Sequence, residues 1–424
     1  MAERYDVLVV GAGPAGLAAA AAAAGQGARV ALLDAQPRAG GQVWRHDVGH
    51  RAPFSARRHI AAVQEHPRVT WMAQTQVVAA EHGSLLAEDP RRAHWLGYGA
   101  LILATGAREL LLPFPGWTLP GVAGAGGLQA LAKQGWPMRS RRVVVAGSGP
   151  LLLATAATAR RHGAQVLGIH EQATFAAVSR FAGGLWRWPA KALQAAALRT
   201  RLAGVRYQCG SMVVAAHGDD QLREIELDGP RGRQRVACDY LAVGYGLVPD
   251  VRMAQMLGCR LEPEGAHARV VVDTEQRSSI GNVFAVGETC GIGGRDCALV
   301  EGEIAGRAAT GATADLPALQ RRRRHARAFA AHLREHFVLD PRIRALAEPD
   351  TLVCRCEDVP LRALEGLQDG RSAKLATRCG MGPCQGRICG SALAEMGRPA
   401  PNGLRPPLFP ARLATLAEAE APAW

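Results

Sequence analysis

The chain opens on an apolar run, Val7 to Val10 after Asp6, that breaks into Gly11-Ala12-Gly13-Pro14-Ala15-Gly16 and continues as an alanine-rich stretch to about Gly27. A second apolar run, Arg29 to Leu33, ends at Asp34. A short run of apolar residues reads as a buried strand, and an unbroken alanine-rich stretch as a helix packed closely on its neighbours. The predicted order is therefore strand, glycine turn, helix, strand, acid. The same order recurs from Arg142: Val143 to Ala146, then Gly147-Ser148-Gly149, a helix to about His162, and the run Gln165 to His170 ending at Glu171. Further apolar runs each meet a glycine: Leu101 to Ala104 before Thr105-Gly106, Leu241 to Val243 before Gly244, and Val283 to Val286 before Gly287. Residues 313–350 carry a helical pattern rich in Ala, Arg, His and Leu, and a Pro-rich tail closes the chain.

The glycine turns carry a defined chemistry. In a strand-turn-helix unit the glycines allow a tight turn, a close approach of pyrophosphate to backbone, and helix–strand packing, while the helix N-terminus offers amides and a positive dipole. An acid some twenty residues on is placed to bind a ribose. Asp34 fills that role in the first unit and Glu171 in the second, where Gly147 and Gly149 form the turn; NAD(P) or another adenine nucleotide is the candidate ligand there. The third glycine position of the second unit is Leu152, which spreads helix from strand and counts against NAD.

Composition narrows the function further. The chain has 424 residues, half of them apolar, enough for two or three domains. Its formal charge of +13 comes almost wholly from arginines spread along the chain, with lysine only at Lys133, Lys191 and Lys374, so no nucleic-acid partner is expected. The dense run Arg321 to Arg324 reads as a solvated helix face. No apolar stretch is long enough to span a bilayer, and the early alanine-rich run lacks a basic segment before it, so a cytoplasmic protein is expected.

Ten cysteines in such a chain are expected to be reduced. Cys354 and Cys356 form a C-x-C pair, and Cys379 and Cys384 a C-x4-C pair, in a segment rich in glycine. Two closely spaced thiolate pairs suit a [2Fe–2S] cluster, one pair per iron, and suit a four-thiolate zinc site equally well. Cys389, one helical turn beyond Cys384, reads as a small buried residue. Cys290 and Cys297 read as packing. No cysteine precedes Cys209, so a redox cysteine pair in the early part of the chain, and with it disulfide reduction, is not expected. His46, His170 and Tyr245 are given no catalytic role, and no catalytic residue is assigned.

The segments around Thr105 and Gly287 resemble the strand-end motifs of the two-dinucleotide-domain flavoproteins that include glutathione reductase and thioredoxin reductase. The resemblance implies an α/β fold with two Rossmann-like domains and FAD in the first. It implies FAD contacts at Gly11, Gly13, Pro14, Ala15, Gly16, Asp34, Ala35, Gly41, Gln42, Val77, Thr105, Gly106, Gly287, Glu288 and Ala298. Glu288 stands where that family usually has Asp, and a helix starting near Ala298 would aim its dipole at the flavin. The cysteine segments, Cys354-Arg355-Cys356-Glu357-Asp358 and Cys379 to Arg387, resemble the small α-helical bacterioferritin-associated ferredoxin domain. The implied division is an FAD-binding half at 1–120, a second nucleotide domain at 121–268, the returning FAD half at 269–312, a helical linker at 313–350, the cysteine domain at 351–400 and a tail at 401–424.

As a whole the chain is similar to the FAD-containing, [2Fe–2S]-binding subunits of heteromeric amine and amino-acid dehydrogenases, the family of opine oxidase, hydroxyproline or proline dehydrogenase, sarcosine oxidase and hydrogen cyanide synthase. That resemblance implies that the partner is a separate catalytic flavoprotein subunit, joined in some members by a small ferredoxin-like subunit. The alternatives are a self-sufficient NAD(P)H-dependent reductase and a zinc-containing structural subunit.

Overall fold

The computed structural model describes residues 2–81, 83–400 and 404–417. Its first sheet has the strand order 69–73, 30–34, 2–10, 93–103, 84–88, 76–81. The long strand Ala93–Leu103 serves two neighbours on one edge. Its first half pairs antiparallel with Ser84–Glu88, and Leu101 to Leu103 pair parallel with Val283–Ala285. The chain thus leaves this domain and returns to it. Val7, Val9, Leu32 and Ile102 are fully buried because helices cover the parallel part, which is why these strands read as unbroken apolar runs.

The first helix, Pro14–Gly25, packs on the helix Arg295–Ala309 of the returning half. A Cβ on Gly302 would stand 2.1 Å from the Ala15 carbonyl oxygen, and one on Gly306 would stand 2.3 Å from that of Ala19. The alanines of one helix and the glycines of the other therefore bring two backbones into contact. That contact explains a run with almost no large side chains.

The second sheet orders its strands 206–209, 165–171, 142–147, 240–244, 122–124, all parallel. A three-stranded antiparallel sheet of residues 212–217, 224–228 and 234–237 lies beside it. The segment expected as a linker is mostly one long helix, Leu316–His336, followed by the short Pro341–Arg344. Leu316 and Leu319 are buried in the first domain's core, while Phe329 and His332 pack on Trp188 of the second domain.

The expectation of a fully solvated arginine run needs correcting. Arg321, Arg322 and Arg324 are exposed, but Arg323 turns inward and, with Arg327 one turn on, ion-pairs with the fully buried Glu301 at 2.9 and 2.6 Å. The periodicity that hides this is simple: on a helix one residue in a run of four can face the core.

Residues 351–400 form a small module with its own core of Val353, Val359, Leu361, Leu364, Ala373 and Leu393. It is not wholly helical, since Leu352–Cys354 and Val359–Pro360 pair as a short antiparallel ladder. Asp369 caps its helix Gly370–Thr377 by accepting from the backbone N–H groups of Arg371 and Ser372 at 2.8 and 2.9 Å. Of the tail, residues 401–403 and 418–424 lie outside the described residues. Its described part runs along the first domain, where the Leu408 amide donates to the Val78 carbonyl at 2.9 Å.

Among the described residues no helix is long and apolar enough to cross a membrane.

Candidate functional site

A cleft of about 450 Å³ opens at the C-terminal ends of the parallel strands of the first domain. Gly11 makes the turn beneath it with φ of 104°, and a Cβ there would stand 2.3 Å from the Ala104 carbonyl oxygen. A Cβ on Gly16 would overlap the Gly11 carbonyl oxygen at 1.8 Å, so Gly16 sets how closely helix meets strand. Gly13 instead faces open space, with Gly41 Cα, 4.0 Å from its Cβ position, as the nearest neighbour. No side chain caps the first turn of the helix Pro14–Gly25. An uncapped helix start above a bare glycine is a fitting cradle for a pyrophosphate.

Asp34 lines the same cleft. Its carboxylate accepts from the Ala12 N–H at 2.7 Å and the Gln36 N–H at 2.8 Å. Burial raises its pKa above the usual carboxylate value, against the downward pull of those two donors. Ala35, Gly41, Gln42 and Val77 line the wall beyond it.

The opposite end of the cleft is held by a polar knot. The Thr105 hydroxyl donates to the Asp250 carbonyl at 2.7 Å and meets the Thr289 hydroxyl at 3.1 Å, while the Gly106 N–H donates to that hydroxyl at 3.1 Å. Three segments far apart in sequence are joined there. Glu288 accepts from the Gly294 N–H at 3.2 Å, and burial lifts its pKa. Ala298 lies in the first turn of the helix that begins at Arg295, three residues earlier than expected.

Of the residues expected to contact FAD, all but Gly16 and Gly287 line this cleft. Gly287 packs against Ala15, and its N–H donates to buried Glu301 at 3.0 Å. Among the lining residues that sequence reasoning missed are Asp250, Arg252, Met253, Arg387, Leu408 and Phe409. Arg387 comes from the cysteine module and Phe409 from the tail, so only the folded chain brings them here. The Phe409 ring is flanked by the Arg252 and Arg387 guanidinium groups at 4.7 and 5.1 Å.

Arg387 also ties the module to the cleft wall. Its Nε donates to the Cys384 carbonyl at 3.0 Å, and its own carbonyl accepts from Arg108 Nε at 3.1 Å. Burial lowers the pKa of both arginines, with the neighbouring Asp250 acting in the opposite direction.

The module gathers five thiols. The sulfurs of Cys354, Cys379 and Cys389 lie within 4.8 Å of one another, all buried. Cys356 and Cys384 lie closer to the surface, Cys356 exposed and Cys384 half-buried. Gly382 makes room for Cys356, since a Cβ on it would stand 2.3 Å from the Cys356 Cβ. Cys389 is buried as expected, but its sulfur lies beside those of Cys379 and Cys354 rather than among apolar groups alone. The all-sulfur donor set fits either an iron–sulfur cluster or zinc, and holds one thiol more than a four-thiolate site requires. A signal for Cys389 was present: Cys384 and Cys389 repeat the C-x4-C spacing of Cys379 and Cys384.

Elsewhere, the buried Cys297 donates to Glu301 at 3.3 Å, and His170 meets Ser211 at 3.0 Å in the second domain. Tyr245 is buried in the second domain's core, and His46 meets Arg38 at the surface. Gly147, Gly149 and Glu171 come together at the second glycine turn, where the Gly149 N–H donates to Glu171 at 2.7 Å.

The model of the pyridine nucleotide-disulphide oxidoreductase family matches residues 5–312. Hydrogen cyanide synthase subunit HcnB of Pseudomonas aeruginosa is 33% identical, with 90% of each chain covered. An opine oxidase subunit of Agrobacterium tumefaciens is 32% identical over 98% of this chain and 92% of that one. Among solved structures, L-proline dehydrogenase from P. horikoshii aligns with a TM-score of 0.67 at 19% identity, covering 98% of this chain and 80% of that one. Thioredoxin reductase of T. acidophilum aligns with a TM-score of 0.56 at 20% identity over 73% of this chain and 98% of that one. With the cleft, the glycine turns and the returning strand in place, these matches make the chain a member of the pyridine nucleotide-disulphide oxidoreductase family, a flavin-dependent oxidoreductase.

Proposed function

We propose that this chain is the FAD and [2Fe–2S] electron-transfer subunit of a heteromeric dehydrogenase or oxidase that oxidises the C–N bond of an amine or amino acid on a separate flavoprotein subunit. The observation that carries this reading is Arg387. One residue belongs to the cysteine motif, bonds to the Cys384 carbonyl and lines the flavin-type cleft. A metal module sharing a wall with a flavin cleft is the arrangement an electron relay needs, and the absence of any cysteine before Cys209 removes the family's disulfide chemistry. The relatives named as subunits of opine oxidase and hydrogen cyanide synthase support a partner that carries the substrate.

FAD in the cleft would supply exchange between two-electron and one-electron carriers, and the cluster would supply a one-electron carrier. The chain's own residues do the rest. Gly13 and the uncapped helix start receive the pyrophosphate, Asp34 receives the ribose, and the Thr105–Thr289 knot fixes the far wall. Four of the five thiols hold the cluster, with Cys354, Cys356, Cys379 and Cys384 as the first choice and Cys389 as the exchangeable fifth. Arg108, Arg252 and Arg387 add positive charge where the module meets the cleft, which favours the electron-rich state of a group bound there. Arg387→Met should therefore lower the midpoint potential of the bound flavin.

The test is purification of the chain with whatever co-elutes, followed by flavin, iron, sulfide and zinc analysis and EPR of the reduced protein. Flavin, iron and acid-labile sulfide in equal amounts with the iron, and a co-eluting flavoprotein, are the expected outcome. Zinc without iron would favour the structural alternative, and rapid flavin bleaching by NADH or NADPH would favour the self-sufficient reductase.

A further inference from the structure

The two glycine turns of this chain have met different fates. The first opens into the cleft. Across the second lies the segment Phe337 to Asp340, which leaves the helix Leu316–His336 and leads towards the cysteine module.

Gln172, directly after the acid of the second unit, clamps this strap at both ends. Its side-chain nitrogen donates to the Val338 carbonyl and to Ser148 Oγ, each at 3.0 Å, and its oxygen accepts from the Asp340 N–H at 2.9 Å. Ser148, the middle residue of the turn, directs its hydroxyl at the Phe337 carbonyl at 3.5 Å. The Phe337 ring stands 3.8 Å from the position of a Cβ on Gly149. Leu339 sits in the second domain's core with Val144, Leu241 and Val243.

The second glycine of such a turn is where a pyrophosphate comes against the backbone. At Gly13 that approach is open, and at Gly149 an aromatic ring fills it. The acid is committed as well: Glu171 is 0% exposed and accepts from the Gly149 N–H at 2.7 Å, the Ala173 N–H at 2.9 Å and the Tyr207 hydroxyl at 3.3 Å. Asp34 also accepts from two backbone N–H groups but stays partly exposed in its cleft, whereas Glu171 has a third donor in Tyr207 and no exposed surface through which a ribose could reach it. Leu152 fills the third glycine position, its Cδ2 3.4 Å from the Cβ position of Gly244.

We infer that the second dinucleotide-binding fold takes no nucleotide and serves instead as the socket for the Phe337–Asp340 strap, which anchors the connection between the first domain and the cysteine module. Electrons consequently do not enter this chain from NAD(P)H bound at that domain.

Hydrogen–deuterium exchange on the full flavin-loaded chain, alone and with NADH, NADPH or ADP at millimolar concentration under anaerobic conditions, tests this. The Asp340 and Gly149 amides should stay protected, with exchange unchanged by any of the three nucleotides. Saturable binding that speeds exchange at Asp340 would overturn the inference, because the nucleotide would then be displacing the strap. Binding that leaves both amides unchanged lies elsewhere and supports it. Gln172→Ala should speed Asp340 exchange roughly tenfold, as loss of its hydrogen bonds predicts, while the flavin absorbance stays the same. Unchanged exchange at Asp340 in that variant would also overturn it. If Gln172→Ala fails to fold, Phe337→Ser keeps the clamp and uncovers the turn instead: it should speed exchange at the Gly149 amide while Asp340 stays protected, and unchanged exchange at Gly149 would overturn the inference.

Discussion

Replacing Glu301 with alanine should destabilise the flavin domain more than any other single change to a charged residue in it. The carboxylate is fully buried, and its Oε1 takes Arg323 Nε at 2.9 Å, Arg327 Nε at 2.9 Å and Arg327 Nη2 at 2.6 Å. Its Oε2 takes the Gly287 N–H at 3.0 Å, so one side chain holds the long helix to the core and fixes the loop beside the cleft. Removing one partner of a buried ion pair costs up to about 3–5 kcal/mol, and the two arginines left behind are only 20% exposed. The orphaned Gly287 N–H adds about 1–3 kcal/mol if it stays buried.

Arg327→Met should cost less, about 1.5–3 kcal/mol for the lost charged hydrogen bonds, because Arg323 still neutralises the carboxylate. A multidomain chain does not unfold in one step, so the measurement should follow the domain concerned, by flavin fluorescence alongside circular dichroism. At about 2–4 °C per kcal/mol, Glu301→Ala should melt on the order of 10 °C below the parent. The triple variant Glu301→Ala, Arg323→Met, Arg327→Met should recover part of that loss, because it leaves no unpaired charge. A single variant melting within about 2 °C of the parent, or a triple variant no better than the single, would refute the account.

Burial pushes the Glu171 carboxyl up to about 7, despite donors that pull it down. The folded protein therefore binds this proton more tightly than the unfolded chain, and the contribution is full below the unfolded value and lost as pH rises towards 7. Unfolding of the second domain across that window should show stability falling with a slope of up to about 1.4 kcal/mol per pH unit, absent in Glu171→Gln. Gly302→Ala places a methyl 2.1 Å from the Ala15 carbonyl oxygen and should cost about 1–3 kcal/mol in thermal unfolding. Gly25→Ala, where nothing lies within 4 Å, should be neutral or stabilising by up to about 1 kcal/mol. Gly11→Ala meets both a φ of 104° and a backbone oxygen at 2.3 Å, and should lower flavin retention on gel filtration at least roughly tenfold.

Much of the cleft was legible because its determinants are local. Gly11, Gly13, Gly16 and Asp34 fall within one strand-turn-helix-strand unit, and each has a stereochemical requirement that a residue type reveals. The cysteine segments were legible as a thiol-rich module, but their pairing was not, since the structure sets Cys354 beside Cys379 and Cys389. Three cysteines, Cys379, Cys384 and Cys389, stand at equal five-residue intervals. Spacing alone favours neither pair, and only the packing of the module set the Cys389 sulfur beside those of Cys354 and Cys379.

What the chain's pattern determined by itself was the pair of glycine turns, their strands and acids, and the reduced thiol-rich module. Those features rest on contacts between residues near in sequence. Tertiary structure decided that Arg387 and Phe409 reach the cleft, that Arg323 and Arg327 bury a carboxylate, and that a strap closes the second turn. Each of these joins segments from about twenty to several hundred residues apart, held by side chains whose types are common on any surface. A phenylalanine or an arginine carries no sign of which distant backbone it will meet. Only the packing of the sheets and helices supplies that partner.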